Sequence, residues 1–182
     1  TPGTDAYRRS RVAMARRGLS ELRKYDREKL PEVQRISADL MEWQLDNIVR
    51  QEPYLDFSFP LNQFNGVNVS IVETMTVRRQ VPNLRNAENY VAALGQVANR
   101  MEEALTEARR LANSKMIPPR FIIQATLQQM KQFIAAPAPE NPFITTLHQR
   151  MAAVKTIPET RRRALRDEGA AVTMAEGWAI AT

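Results

Sequence analysis

The sequence contains no cysteine and a single histidine, His148, among its 182 residues. The absence of cysteine excludes a disulfide framework, a thiolate metal site and a cysteine nucleophile. A helical zinc hydrolase needs two histidines one turn apart with a glutamate between them, and one imidazole cannot supply that motif. We therefore expect His148 to lie at the surface or on the flank of a helix.

Glycine and long apolar runs are also scarce. The six glycines form no glycine-rich loop ahead of a helix, so nothing indicates phosphate or nucleotide binding. The longest stretch without a charged residue, 57–72, contains Pro60, Gly66 and several amides. It therefore could not cross a bilayer, which takes about 20 mostly apolar residues. The first residues show no signal-peptide pattern.

The residues that are present favour helices. Apolar residues recur at spacings of three and four, period-2 alternation is nearly absent, and prolines separate the periodic segments. The pattern predicts an all-α fold of about six helices in a bundle or layered array, forming a single helical domain over 1–182. The helices are expected at 5–25, from Pro31 to before Pro53, from an Asn86 cap to before Pro118, at 120–135, after an Asn141 cap with Pro142 in the first turn, and after a capping box at Thr156 and Glu159. The helix at 120–135 is expected to be buried in the core through Ile122, Met130, Phe133 and Ile134.

Two of the predicted helices carry clear apolar stripes. In the first helix the stripe consists of Val12, Ala15, Leu19 and Leu22. In the second helix it consists of Val33, Ile36, Leu40 and Trp43. Such stripes indicate faces that pack against other helices.

Residues 53–85 are the least helical part of the sequence. Aromatic residues lie there among prolines and a glycine, so we expect one irregular loop held in place by burial of its aromatic rings. The β-branched residues between Val67 and Val77 are compatible with a short strand or a short helix.

The charge is basic, with 26 Lys and Arg against 20 Asp and Glu and an isoelectric point near 10.1. Arginines are frequent in the first and the last predicted helices. In the first helix they are distributed around the helix axis and do not line one side. No nucleic-acid-binding motif is visible, so we do not expect nucleic acid as a partner. The adjacent carboxylates Glu102 and Glu103 diverge by about 100° on a helix and are expected to be solvated surface groups.

Four segments together resemble a known family. They are 59–66 (FPLNQFNG), 89–94 (NYVAAL), 117–121 (IPPRF) and 141–143 (NPF). With these segments in this order, the chain resembles the N-terminal part of a bacterial family of uncharacterised zincin-like α-helical proteins. That family is distantly related to Taq-type metallocarboxypeptidases. The resemblance implies a peptidase-like architecture, often in exported or lipid-anchored proteins. It also implies a zinc-binding His-Glu-x-x-His helix well downstream, in proteins about three times as long.

The tail, 169–182, is left unassigned. Its segment 175–180 (AEGWAI) is similar to one that the family places after the zinc helix, which makes Glu176 a candidate metal ligand by resemblance. A single carboxylate cannot hold a catalytic zinc, which takes three protein ligands. An internal deletion, an incomplete record and a chance match each remain open as explanations.

Two functional hypotheses follow. In the first, the chain is the helical scaffold portion of a zinc-metallopeptidase-like protein, inactive alone, with a peptide substrate only in a full-length form. In the second, it is a non-catalytic helical binding module for a protein or an anionic partner. Whether it is an enzyme is left open. An apolar helical face left uncovered would favour a homo-oligomer, and the resemblance implies an exported or periplasmic location.

Overall fold

The computed structural model describes residues 4–175, with side-chain surroundings given through Thr173. Within that range it contains eight α-helices and no strand: α1 (Asp5–Leu22), α2 (Glu32–Arg50), α3 (Val67–Glu73), α4 (Leu84–Leu94), α5 (Val97–Asn113), α6 (Arg120–Ile134), α7 (Pro142–Ala152) and α8 (Glu159–Ala175). The all-α class is confirmed, although the helices outnumber the predicted six. None of the described helices is long and apolar enough to cross a bilayer.

The chain divides into two compact units, 1–58 and 59–182. Whether they behave as one domain stays a prediction. In the first unit, α1 and α2 form a helical hairpin. Thr4 caps α1 by accepting a hydrogen bond from the backbone N–H of Tyr7. Of the predicted stripe, Val12, Ala15 and Leu19 form the buried face, whereas Leu22 at the end of the helix is half-buried. Gly18 permits close packing, because a Cβ at that position would lie 3.2 Å from a methyl group of Leu45 on α2.

Helix α2 packs differently from the expectation. Its buried residue is Ala38, whereas the predicted stripe of Val33, Ile36, Leu40 and Trp43 is exposed. The α2 helix therefore has a second apolar face that no described residue covers.

The second unit contains the larger core, built mainly from α4, α7 and α8. Helix α7 contributes Phe143, Ile144, Leu147 and Met151, each at most 2% exposed. The predicted cap at Asn141 is confirmed, since its side chain accepts a hydrogen bond from the backbone N–H of Phe143 at 3.0 Å.

The helix predicted from Asn86 to Pro118 is two helices, and this prediction was wrong in two respects. The cap is Asn83, whose side chain accepts from the N–H of Asn86 at 3.0 Å. The break falls at Gly95 and Gln96, where the Gln96 N–H bonds the Ala93 carbonyl at 3.1 Å. Such an i→i+3 bond closes a helix end, and glycine is a weak helix former. The break changes which side of the following helix is buried, and α5 buries Ala104, Glu107 and Leu111 as well as Met101.

Residues 53–85 are also more ordered than expected. A 3₁₀ segment spans Glu52–Phe57, α3 follows, and a π-helical turn spans Thr74–Arg78. Residues 67–77, for which the sequence allowed a strand or a helix, are helical in the structure. Burial of aromatics does not hold this region, because Tyr54, Phe57 and Phe64 are all exposed.

Candidate functional site

The second unit contains an apolar groove of about 650 Å³. Helix α3 and the π-helical turn form one wall, α6 forms the other, and residues of α4, α5 and α7 lie between them. The apolar side chains that line it include Ile71, Val72, Leu94, Val97, Met101, Leu127, Met130, Phe133 and Phe143. Its volume lies within the range of about 300–1,000 Å³ that is usual for small-ligand sites. We refer to it as the α3–α6 groove.

The turn that leads into the first wall is built around Asn62. Its side-chain oxygen accepts from the backbone N–H groups of Phe64 and Asn65, both at 2.9 Å, and its amide donates to the Phe59 carbonyl at 3.1 Å. Asparagine favours turns because its short side chain can replace a backbone partner in this way. The FPLNQFNG segment therefore serves to position the start of α3.

Gly66 completes that turn by allowing close approach. A Cβ added there would lie 2.4 Å from the backbone nitrogen of Asn62 and 2.4 Å from the side-chain oxygen of Asn68. Both distances are below any real Cβ contact, and one of the two atoms belongs to the backbone. The lack of room for a side chain is what requires glycine at this position, because a φ of −63° is accessible to any residue.

Arg150 of α7 holds the end of the same wall. One guanidinium nitrogen donates to the carbonyls of Met75 and Arg79, and the other donates to Thr76 at 2.7 Å and Val77 at 3.1 Å. The last carbonyls of a helical segment have no partners within it, and a cation placed there is favourable. Arg150 thus fixes the π-helical turn, where Thr76 and Val77 line the groove.

The two walls are joined at their edge and at their base. The side-chain amide of Asn68 on α3 donates to the Gln129 side-chain oxygen on α6 at 3.1 Å. Below them, the rings of Phe133 and Phe143 meet edge to face with centroids 5.0 Å apart. The Asn141 amide also donates to the Phe133 carbonyl at 3.3 Å, which ties α6 to the start of α7.

The chemistry of the groove suits binding. Glu73 and Lys131 are the charged residues among its described lining. Glu73 is engaged by Arg78, with Nη2 to Oε1 at 2.8 Å. A zinc site takes three protein ligands, so one engaged carboxylate without an imidazole does not fit zinc. The described lining also offers no nucleophile paired with a base.

Tyr90 belongs to the core of the second unit. It is fully buried, and its hydroxyl donates to the Phe143 carbonyl at 3.0 Å. Burial raises the pKa of Tyr90 to about 12, against a smaller lowering effect from Arg150 and Arg79. The tyrosine is neutral and structural at physiological pH.

The residues singled out from the sequence do not assemble into a site. His148 is exposed on α7, as expected. Glu102 pairs with Arg109 at 3.2 Å and Glu103 pairs with Arg100 at 2.7 Å, so each carboxylate has its own cationic partner on α5. Glu176 lies outside the described residues, and so does most of the 175–180 match.

Many arginines of the first unit are engaged in ion pairs. Arg9 contacts Asp5 at 2.8 Å and Arg23 contacts Glu42 at 2.8 Å. The guanidinium of Arg23 is the main cause of a lowered pKa of the Glu42 carboxyl, with Arg27 adding to it. These pairs reduce the positive charge that an anionic partner would meet.

Sequence reasoning missed the groove as a site. It assigned Met130, Phe133 and Ile134 of α6 to the core, whereas they are half-buried and line the groove. One available signal was the width of the apolar surface on α6. It includes Ile123 and Leu127 as well and exceeds what a helix needs for one packed face.

Comparison with known proteins agrees with this architecture. No curated protein matches the chain. A crystal structure of a "putative lipoprotein" from Colwellia psychrerythraea is similar, with a TM-score of 0.77 and 16% sequence identity, over 93% of this chain. The chain spans 30% of that protein's length. At this identity the likeness concerns the fold alone.

Residues 2–180 match a family described as bacterial protein of unknown function, DUF885. The match covers almost the whole sequence. The chain therefore belongs to the DUF885 family of bacterial proteins.

Proposed function

We propose that this chain is the helical scaffold portion of a zinc-metallopeptidase-like protein. In this proposal it is inactive alone and contributes the α3–α6 groove as a binding surface for apolar side chains of a peptide. The observation that supports it best is the groove itself, an apolar concavity of about 650 Å³ whose described lining has no catalytic constellation. A surface of this kind binds a ligand and leaves the chemistry to groups elsewhere.

The length relationship supports the scaffold role. A structure of similar fold is about three times as long, since this chain covers 30% of it. If the zinc ligands of the longer protein lie outside the matched region, the present residues position the substrate and do not react with it. The zinc itself enters the proposal only through the resemblance.

A peptide is the proposed ligand because the groove combines an apolar interior with amides at its edge. Asn68 and Gln129 lie there and already bond each other across the two walls. Amide side chains can satisfy the backbone N–H and C=O groups of a peptide, which are costly to bury without partners. An acyl chain would make no use of them.

The groove can be tested with a defined probe. We expect a capped, fluorescein-labelled tetrapeptide of alternating Leu and Phe to bind with a dissociation constant in the micromolar range by fluorescence anisotropy. Leu127→Lys places a charge at the groove and should weaken binding at least ten-fold. Phe121→Lys is the matched control, since Phe121 is exposed on the same helix and does not line the groove. Equal affinity of both variants, or no binding, would refute the groove as a peptide site.

The scaffold role is tested separately. We expect the purified chain to hold no stoichiometric zinc by elemental analysis and to hydrolyse no peptide. We also expect the native gene to encode a His-Glu-x-x-His segment in the same reading frame. One tightly bound zinc per chain, or a native gene without that segment, would contradict the role.

The alternative is a non-catalytic helical binding module for a protein or an anionic partner. An anionic partner has weaker support because so many arginines are already paired with acids. We further propose that the longer protein is exported. The support is the description of the structural neighbour as a "putative lipoprotein". Fractionation of the native bacterium, followed by immunoblotting, tests this.

A further inference from the structure

We propose that the exposed apolar face of α2 is the interface between two copies of this chain, with the two α2 helices antiparallel about a two-fold axis that crosses this face at the level of residue 38. This face, here named the α2 stripe, consists of Val33, Ile36, Leu40 and Trp43. Their exposed fractions are 75%, 52%, 59% and 67%. The inference is independent of the groove and of the proposed function.

The α2 stripe is a separate face and not the edge of the hairpin's packing. At about 100° per residue, its four members centre on the side of α2 opposite Ala38. Ala38 is 9% exposed and is the residue that α2 buries within the first unit. A helix with apolar residues on two opposite sides is typical of one that is covered on both.

The spacing of the stripe favours a second copy as the occupant. Its members follow one another at steps of three, four and three, a pattern that is symmetric about position 38. A two-fold axis there places Val33 opposite Trp43 of the second copy and Ile36 opposite Leu40 of the second copy. The smallest side chain thereby meets the largest one, as a self-complementary interface requires.

Charges beside the stripe fit the same arrangement. Arg35 and Asp39 lie on one flank of it, four residues apart. In the antiparallel pair each Arg35 comes within reach of Asp39 of the other copy. Within the described range Arg35 is exposed and forms no ion pair. Asp39 accepts from Arg27 through Oδ1 at 2.7 Å, and its side chain is 66% exposed.

The size of the α2 stripe determines how tightly two copies are expected to associate. The four side chains lie within eleven residues, which extend about 15 Å along a helix. A surface of this length buries less than the roughly 800 Å² per partner of a standard interface. We therefore expect a weak dimer, with a dissociation constant of tens of micromolar.

Sedimentation equilibrium from about 5 µM to 1 mM measures this association. The apparent mass should rise from 20.8 kDa towards twice that value. Leu40→Asp should weaken association at least 30-fold. Met41→Asp should leave it within three-fold, because Met41 is an exposed apolar residue of the same helix outside the stripe. Circular dichroism checks that both variants are folded. A monomer at 1 mM would overturn the proposal and would instead favour cover by another polypeptide.

Cysteine cross-linking tests the register of the two helices. Because the chain has no cysteine of its own, any disulfide must form between the introduced residues. Val33→Cys and Trp43→Cys are prepared separately and oxidised alone or mixed. In the proposed arrangement, identical positions lie about 15 Å apart, beyond the roughly 7 Å between Cα atoms that a disulfide allows. We expect a disulfide-linked dimer only in the mixture. Cross-linking of either variant with itself, or none in the mixture, would overturn the antiparallel pairing.

Discussion

Replacing Arg150 with methionine tests how the groove wall is held. The substitution keeps most of the apolar stem and removes the guanidinium that donates to four backbone carbonyls at 75–79. Those carbonyls belong to the π-helical turn and to its cap, so they cannot all regain partners within the backbone.

The magnitude follows from the geometry. The contacts with Thr76 at 2.7 Å and Val77 at 3.1 Å are well formed, whereas the contact with Met75 at 3.3 Å is long. Hydrogen bonds to a charged group contribute about 1.5–3 kcal/mol each, and the half-exposed position of Arg150 reduces this through competition with water. We expect Arg150→Met to lower the free energy of unfolding by about 2–3 kcal/mol.

Urea denaturation followed by circular dichroism measures the change. Arg150→Lys should recover about 1 kcal/mol, because an ammonium retains the charge but lacks the planar fork. Arg109→Met is the matched control, and its exposed pair with Glu102 should cost under about 0.5 kcal/mol. If Arg150→Met costs no more than the control, then these carbonyls are satisfied by water and our account of the wall is wrong.

Two further predictions concern the second unit. Gly66→Ala should destabilise the chain by about 2 kcal/mol in the same urea assay, because the added Cβ meets the backbone of Asn62. Gly95→Ala is the control: the nearest atom to its Cβ lies at 3.6 Å, so this variant should be neutral or stabilising. Tyr90 has a pKa of about 12 when folded, above its ordinary value of 10.0, so folding favours its protonated form and its contribution is complete below pH 10. The free energy of unfolding should fall by up to about 2 kcal/mol as the pH rises from 10 to 12, and this step should be missing in Tyr90→Phe; an unchanged profile would contradict the burial effect.

Helix α7 was predictable because its signals are local. Asn141 and Pro142 supply a cap and a first-turn proline within two residues, and the same cap forms in the structure. The breaks on either side of α2 were predictable for the same reason, since Pro31 and Pro53 restrict the backbone whatever surrounds them.

The division between α4 and α5 was not predictable from periodicity. Gly95 is a weak helix former, but an isolated glycine can continue a helix, and apolar residues occur at helical spacing on both sides of it. The core decides the outcome, because ending α4 there lets Leu111 reach a buried position, whereas a continuous helix would place it on a different side from Leu94. Similarly, the FPLNQFNG turn depends on one asparagine bonding three backbone groups, and a sequence pattern does not show which groups its side chain will meet.

The sequence by itself determined the helical class, the absence of thiol and multi-histidine chemistry, and the family to which the chain belongs. These properties follow from composition and from hydrogen bonding within a few residues. Only the tertiary structure decided which faces are covered and where the groove lies. The α3–α6 groove is formed by segments about 60 residues apart, as the bond between Asn68 and Gln129 illustrates, and Arg150 reaches carbonyls more than 70 residues away. Contacts at such separations depend on how whole helices pack, and helical spacing in the sequence does not specify that packing.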